Sequence, residues 1–165
     1  MAFEIDIQLE GDYAVNEGGL RLAAFTVLDA HEVHPDSGLT VVITSDDFVR
    51  GLNMQFRGID SPTDVLSFPA DEPLIDDSGE EEPPYLGDIL IAYPYASAQA
   101  AREGHALDDS LALLVVHGTL HLLGYDHDTP ENRAEMWAAQ AEALGVLGIS
   151  EAIVPALEEG KDDAH

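Results

Sequence analysis

Apolar residues recur along this chain in two rhythms, one of period two and one near 3.6, and their order sets the fold class. Phe3-Glu4-Ile5-Asp6-Ile7-Gln8-Leu9 alternates strictly, as a half-buried strand does. From Leu20 to Val33 the apolar positions Leu20, Ala23, Ala24, Val27, Leu28 and Ala30 fall at helical spacing, until His34-Pro35-Asp36-Ser37-Gly38 breaks the pattern. Leu39 to Thr44 is a β-branched run that reads as a buried strand. Ser45-Asp46-Asp47 supplies a cap and an acidic first turn for a helix reaching about Arg57. Asp60-Ser61-Pro62 turns the chain into a third strand, Asp64 to Phe68, and Leu86 to Ala92 reads as a fourth. Between these strands, residues 71–84 are acidic and proline-rich with little to bury, and are expected to form a mobile loop.

The second half of the chain reads as helices. Tyr95 to Gly104 fits a short one, and Asp108-Asp109-Ser110 is placed to cap the next, Leu111 to Leu123. Thr129-Pro130-Glu131 opens a last helix reaching about Leu144, with Pro130 in the first turn where its missing N–H costs nothing. Residues 158–165 form a polar tail. The expectation is one α+β (mixed α/β) domain over residues 1–157. It would hold a four-stranded, mostly parallel sheet packed with about five helices.

Composition changes this picture in two ways. The chain of 165 residues is long enough for one core, and its 45% hydrophobic content is that of a globular protein. No apolar run approaches the roughly 18 residues of a membrane span, and Met1 to Asp6 lacks the basic and apolar regions of a secretory signal, so a cytoplasmic protein is expected. With no cysteine, any metal must be held by nitrogen and oxygen. The charge is unusual: 33 acidic against six basic residues give −27. Such a chain repels phosphate backbones at long range, and composition alone argues against nucleic acid. A solvated acidic surface and a surface that attracts cations or basic partners both fit that number.

The chemistry concentrates in His117-Gly118-Thr119-Leu120-His121-Leu122-Leu123-Gly124-Tyr125-Asp126-His127. Residues four apart on a helix share a face, so His117 and His121 can offer two imidazoles to one ion. Gly124 is placed to end the helix in a left-handed residue, letting the chain double back so that His127 supplies a third ligand. Three imidazoles leave a tetrahedral position open for water, the pattern of a catalytic site, and zinc lowers the pKa of such a water to roughly 7. The helix that carries them is apolar nearly all round, so it should be buried and central. Imidazoles there need partners to offset desolvation. The spacing also fits the metzincin proteases, but Gly118 stands where their general-base glutamate belongs, and no H-E-x-x-H occurs elsewhere.

With those residues in view, the chain resembles the YbeY family of bacterial rRNA-maturation endoribonucleases. Asn53-Met54-Gln55-Phe56-Arg57, Pro62-Thr63-Asp64-Val65-Leu66-Ser67-Phe68-Pro69, Leu86-Gly87-Asp88-Ile89, Gly104-His105 and the stretch Met136 to Gly148 match its layout, from about Asn53 to Gly148. Ser110 departs from it, standing where many members carry an acid. The resemblance implies one zinc ion (Zn2+) on His117, His121 and His127, and a functional arginine at Arg57. A guanidinium forks onto phosphate oxygens and stabilises growing negative charge, which suits that role. His105 is a weaker substrate-side candidate, Asp88 could orient a ligating imidazole, and Asp126 could cap its turn. His31, His34 and His165 read as exposed.

The implied activity is zinc-dependent, single-strand-specific cleavage of RNA in small-subunit 16S rRNA maturation and ribosome quality control. The implied partners are rRNA and the small ribosomal subunit or its precursors, with no DNA and no membrane. A metal-binding assembly factor with little nuclease activity, and a zinc hydrolase of a small substrate, remain open.

Overall fold

The computed structural model describes residues 3–31, 33–70 and 85–150. Its elements are β1 (Glu4–Leu9), α1 (Glu17–Ala30), β2 (Gly38–Thr44), α2 (Asp46–Arg57), β3 (Val65–Pro69), β4 (Tyr85–Ala92), α3 (Tyr93–Glu103), α4 (Leu107–Leu122) and α5 (Pro130–Leu147). The strands form one sheet in the order β1-β2-β4-β3; β1, β2 and β4 run parallel, and β3 is antiparallel to β4. This is the mixed, mostly parallel α+β domain that the apolar rhythms imply. The acidic segment 71–84 and the tail 158–165, with His165, lie outside the described residues.

Side-chain alternation divides the sheet into two faces. Leu39, Val41 and Ile43 of β2, Ile89 and Ile91 of β4, and Val65 of β3 join Leu20, Val27 and Leu28 of α1 and Leu111, Val115 and Leu120 of α4 in the main core. Each fully buried Val, Leu or Ile contributes about 1.5–3 kcal/mol, so burial is what fixes α4 against the sheet. On the opposite face, α2 covers a smaller cluster of Val49, Leu66 and Ala92, with Leu52, Phe68 and Tyr95 packed against it. That face also carries a polar group on β2 and β4. There the Tyr85 hydroxyl donates to the Asp88 carboxylate and meets Thr40 Oγ1 at 2.7 Å. Burial first, and the bond to Asp88 second, push the Tyr85 phenol up to about 12.

Asp88 therefore does not orient an imidazole. It stands one residue before Ile89, whose side chain points toward α4, so the pleat directs Asp88 to the other face.

Helix boundaries differ from the sequence reading in instructive ways. α1 starts at Glu17, because the Asn16 side chain accepts from Gly19 N at 3.1 Å, and it stops at Ala30. α3 starts at Tyr93, with Pro94 taking the first-turn position that Pro tolerates. α4 starts at Leu107, so Asp108 and Asp109 lie inside its first turn. They complement the helix dipole there, and the capping residue Ala106 makes no side-chain bond. α5 begins on the Thr129 cap as read, and continues to Leu147.

Candidate metal centre

α4 carries His117 and His121 one turn apart on one face. Its last carbonyls are taken up by Leu123 and Tyr125, whose backbone N–H groups bond to Thr119 and Leu120 oxygens. Gly124 adopts φ +104°, a conformation that a side chain strongly disfavours, and this redirects the chain. The Asp126 carboxylate accepts from His127 N at 2.8 Å and caps the turn. His127 returns to within 5.2 Å of the His121 ring and 5.6 Å of the His117 ring, centroid to centroid. One ligand atom from each of the three histidines lies within 4.8 Å of the others, so the group could hold a metal ion.

The protonation pattern fits that use. The ring of His117, 1% exposed, bonds through Nδ1 to Gln140 Oε1 at 3.0 Å. His121 Nδ1 bonds to the Tyr125 carbonyl at 2.9 Å. Both acceptors are oxygens, so each Nδ1 carries the proton and each Nε2 presents a lone pair. These two Nε2 atoms face one another at 3.2 Å. Two lone pairs so close repel unless a cation lies between them. Burial, reinforced by His127, holds His121 below the ordinary imidazole value, keeping it in the neutral form that a metal requires. The orientation has a cost of its own. Gln140 Nε2 is buried with no hydrogen-bond partner among the described residues, worth about 1–3 kcal/mol.

Gly118 explains why no glutamate stands beside the first ligand. A Cβ on Gly118 would lie 2.8 Å from Ile89 Cγ2, so this position faces the sheet. A glutamate there would enter the core and could not reach a metal-side water, which removes the metzincin alternative on structural grounds.

Arg57 lies on α2, which covers the face of the sheet opposite α4. It ends α2 and donates to Asn53 Oδ1 at 3.1 Å, while Asn53 donates to the Ser61 carbonyl at 2.8 Å. Its neighbour Phe56 packs edge-on against Phe68, with ring centroids 5.3 Å apart. One residue earlier in β3, Ser67 Oγ donates to the Gly118 carbonyl at 3.4 Å. Ser67 thus touches the histidine helix on one face of β3, and Phe68 touches the neighbour of Arg57 on the other. Arg50, also on α2, pairs with Asp60 at 2.7 Å on the surface. His105 precedes the N-terminus of α4, whereas His121 lies in its last turn, and the Nε2 of His105 is 3.9 Å from Glu103 Oε1.

Sequence reasoning missed several participants. Gln140 and Tyr125 orient two of the imidazoles. Trp137 sets its ring at steep angles to His117 and His127, at 5.9 and 5.7 Å. His31 is not simply exposed: its Nδ1 meets the Val27 carbonyl at 2.8 Å, and its Nε2 meets the Tyr125 hydroxyl at 3.0 Å, pinning the residue whose carbonyl holds His121. His34 accepts from Asp36 N locally.

A family model described as Endoribonuclease YbeY matches residues 13–148, well upstream of the Asn53 motif where the sequence resemblance begins. The Endoribonuclease YbeY of Pelotomaculum thermopropionicum is 44% identical over 147 residues, 86% of this chain and 95% of its own. That of Mycolicibacterium smegmatis is 41% identical over 146 residues, 85% of this chain and 80% of its own. The solution structure of TM1509 from Thermotoga maritima superposes with a TM-score of 0.58 at 29% identity, covering 96% of this chain and 99% of that one. Matched along most of its length by that model and by such relatives, the chain belongs to the YbeY endoribonuclease family.

Proposed function

We propose that this protein is a zinc-dependent, single-strand-specific endoribonuclease acting in the cytoplasm on rRNA of the small ribosomal subunit, in its late maturation and quality control. The observation that carries the reading is the pair of opposed Nε2 lone pairs on His117 and His121, 3.2 Å apart, with His127 beside them. Zinc held at about 2.0–2.1 Å by tetrahedral nitrogen ligands separates them by about 3.3 Å. Bound there, zinc supplies Lewis-acid polarisation of a phosphoryl oxygen and a means of activating water.

The chain's own residues do the rest. Gln140 and the Tyr125 carbonyl keep both Nδ1 protons in place, so each Nε2 stays free and aimed. Arg57, braced by Asn53, offers a permanent positive charge to the phosphate as negative charge develops on it. A strand of RNA that contacts both the histidines and Arg57 would have to pass the edge strand β3. The nucleophile is either water or the RNA's own 2′-OH, and only the second leaves a 2′,3′-cyclic phosphate.

The charge of −27 favours delivery of substrate on a ribosomal particle, whose basic proteins attract what free RNA repels. The same number supports a second reading, a metal-binding assembly factor with little nuclease activity. Cleavage of a single-stranded rRNA-tail oligonucleotide by the zinc-loaded protein, beside Arg57→Ala, tests the first. Loss of about 10²–10³-fold in rate is expected in the variant. Equal cutting by both proteins would remove Arg57 from the chemistry. No cutting of free RNA or of immature subunits would leave the assembly factor.

A further inference from the structure

We infer that Trp137 and Arg133 form a stacking subsite for a nucleobase of single-stranded RNA, next to the metal centre. The class of ligand rests on the endoribonuclease reading; the site itself rests on geometry. Beside His127 opens a cavity of about 390 Å³, walled by Thr129, Arg133 and Trp137. That volume lies in the range of small-molecule sites, large enough for a nucleotide. Arg133 and Trp137 are four residues apart on α5 and share a face, and the guanidinium carbon stands 5.7 Å from the indole centroid. The indole is half-buried, with its ring turned steeply to His117 and His127, while Arg133 is exposed.

An aromatic ring with a neighbouring arginine is how proteins hold single strands without reading their sequence, because every base offers a π-face. Base rather than phosphate is the occupant that fits. The Asp128 carboxylate lines the same cavity, bonded to Asn132 Nδ2 at 2.8 Å, and would repel an anion. Because His127 belongs to both the cavity and the metal centre, a base stacked here leaves the adjoining phosphate beside the histidines. Stacking also eases the charge problem, since its larger part comes from the indole and needs only one of the few basic residues this chain possesses.

Trp137 is the chain's single tryptophan, so its fluorescence reports the subsite and the histidines beside it, and the paired oligonucleotides separate the two. The zinc-loaded protein would be titrated with a 2′-O-methyl hexanucleotide and with an abasic oligonucleotide of equal length and charge. Quenching by the first and not the second is expected. On a cleavable oligonucleotide, Trp137→Ala should raise KM by about 5- to 150-fold, the equivalent of stacking one base. Trp137→Phe should restore most of the affinity, and Arg133→Ala should raise KM several-fold.

Zinc content is measured for each variant. Should Trp137→Ala lose its metal, Arg133→Ala and the quenching contrast decide the question. Equal quenching by both oligonucleotides, or an unchanged KM in Arg133→Ala and Trp137→Ala while the parent cuts RNA, would overturn the subsite and spare the enzyme reading. Base-selective quenching with no cleavage would keep the subsite and remove the enzyme reading. Neither quenching nor cleavage would remove both.

Discussion

Helices α2 and α4 lie on opposite faces of one sheet, and the side-chain cap that starts the first is missing from the second. α2 is closed by local signals. Ser45 Oγ accepts from Phe48 N at 3.1 Å, Asp46 and Asp47 occupy the first turn, Arg57 the last, and Gly58 ends it at φ +72°. Only Val49 and Asn53 of α2 are buried. α4 has no side-chain cap at its N-terminus, but from Leu111 to Leu122 every residue except His121 is buried. Short helices are marginal in water, so α2 is secured mainly at its ends and α4 by what surrounds it. The chemistry follows the same division. Arg57, near the surface, is braced by Asn53 one turn away, whereas His117 inside the core needs Gln140 from another helix.

That dependence gives the largest effect expected in this comparison. Gln140→Leu preserves volume but removes the oxygen that fixes the His117 proton on Nδ1, leaving the ring free to present the wrong nitrogen. Loss of such a partner lowers metal affinity by about 10–100-fold. Competition against a chelator of known zinc affinity measures it directly. Asn53→Leu on α2 should leave zinc affinity within about twofold while lowering RNA cleavage. If Gln140→Leu binds zinc as tightly as the parent, packing alone orients His117, and the contrast between buried and exposed function disappears.

How much of this was legible in the sequence depended on whether the information was local. The spacing of His117 and His121, with Gly124 as the stop before His127, needs only helix geometry, and the structure assembles those three as read. The cap at Ser45 is equally local. Gln140 lies 23 residues from His117, and His31 lies 94 from Tyr125, so neither contact has a sequence rhythm to announce it. Asp88 was misplaced for a related reason. The Leu86-Gly87-Asp88-Ile89 string gives the strand, but only its packing on α4 tells which alternate residue faces the histidines. At the start of α4 the acids were read as caps, because a sequence cannot show that burial will extend the helix one turn further.

Two glycines sharpen the comparison with smaller effects. Gly118 is packed against the sheet: an added Cβ would stand 2.8, 3.1 and 3.2 Å from three carbons of Ile89. That side chain is β-branched, stiff, and fully buried, so it has little room to give. Overpacking of this kind costs about 1–3 kcal/mol, so Gly118→Ala should lower the denaturant midpoint of the metal-free protein. An unchanged midpoint would mean that α4 can move off the sheet, and that its position is less fixed than its burial implies.

Gly51 is the counterpart on α2, and here the sign reverses. It is exposed, its φ is not left-handed, and a Cβ built on it meets nothing within 4 Å. The only terms left are backbone entropy and helix propensity, both of which favour alanine by about 0.5–1 kcal/mol. Gly51→Ala should therefore raise the denaturant midpoint slightly, with zinc affinity and RNA cleavage as in the parent. Because α2 ends on Arg57, a stiffer helix that also cut RNA more slowly would show that the arginine relies on α2 fraying toward its substrate. The same rate would show that Arg57 is delivered by a helix already formed.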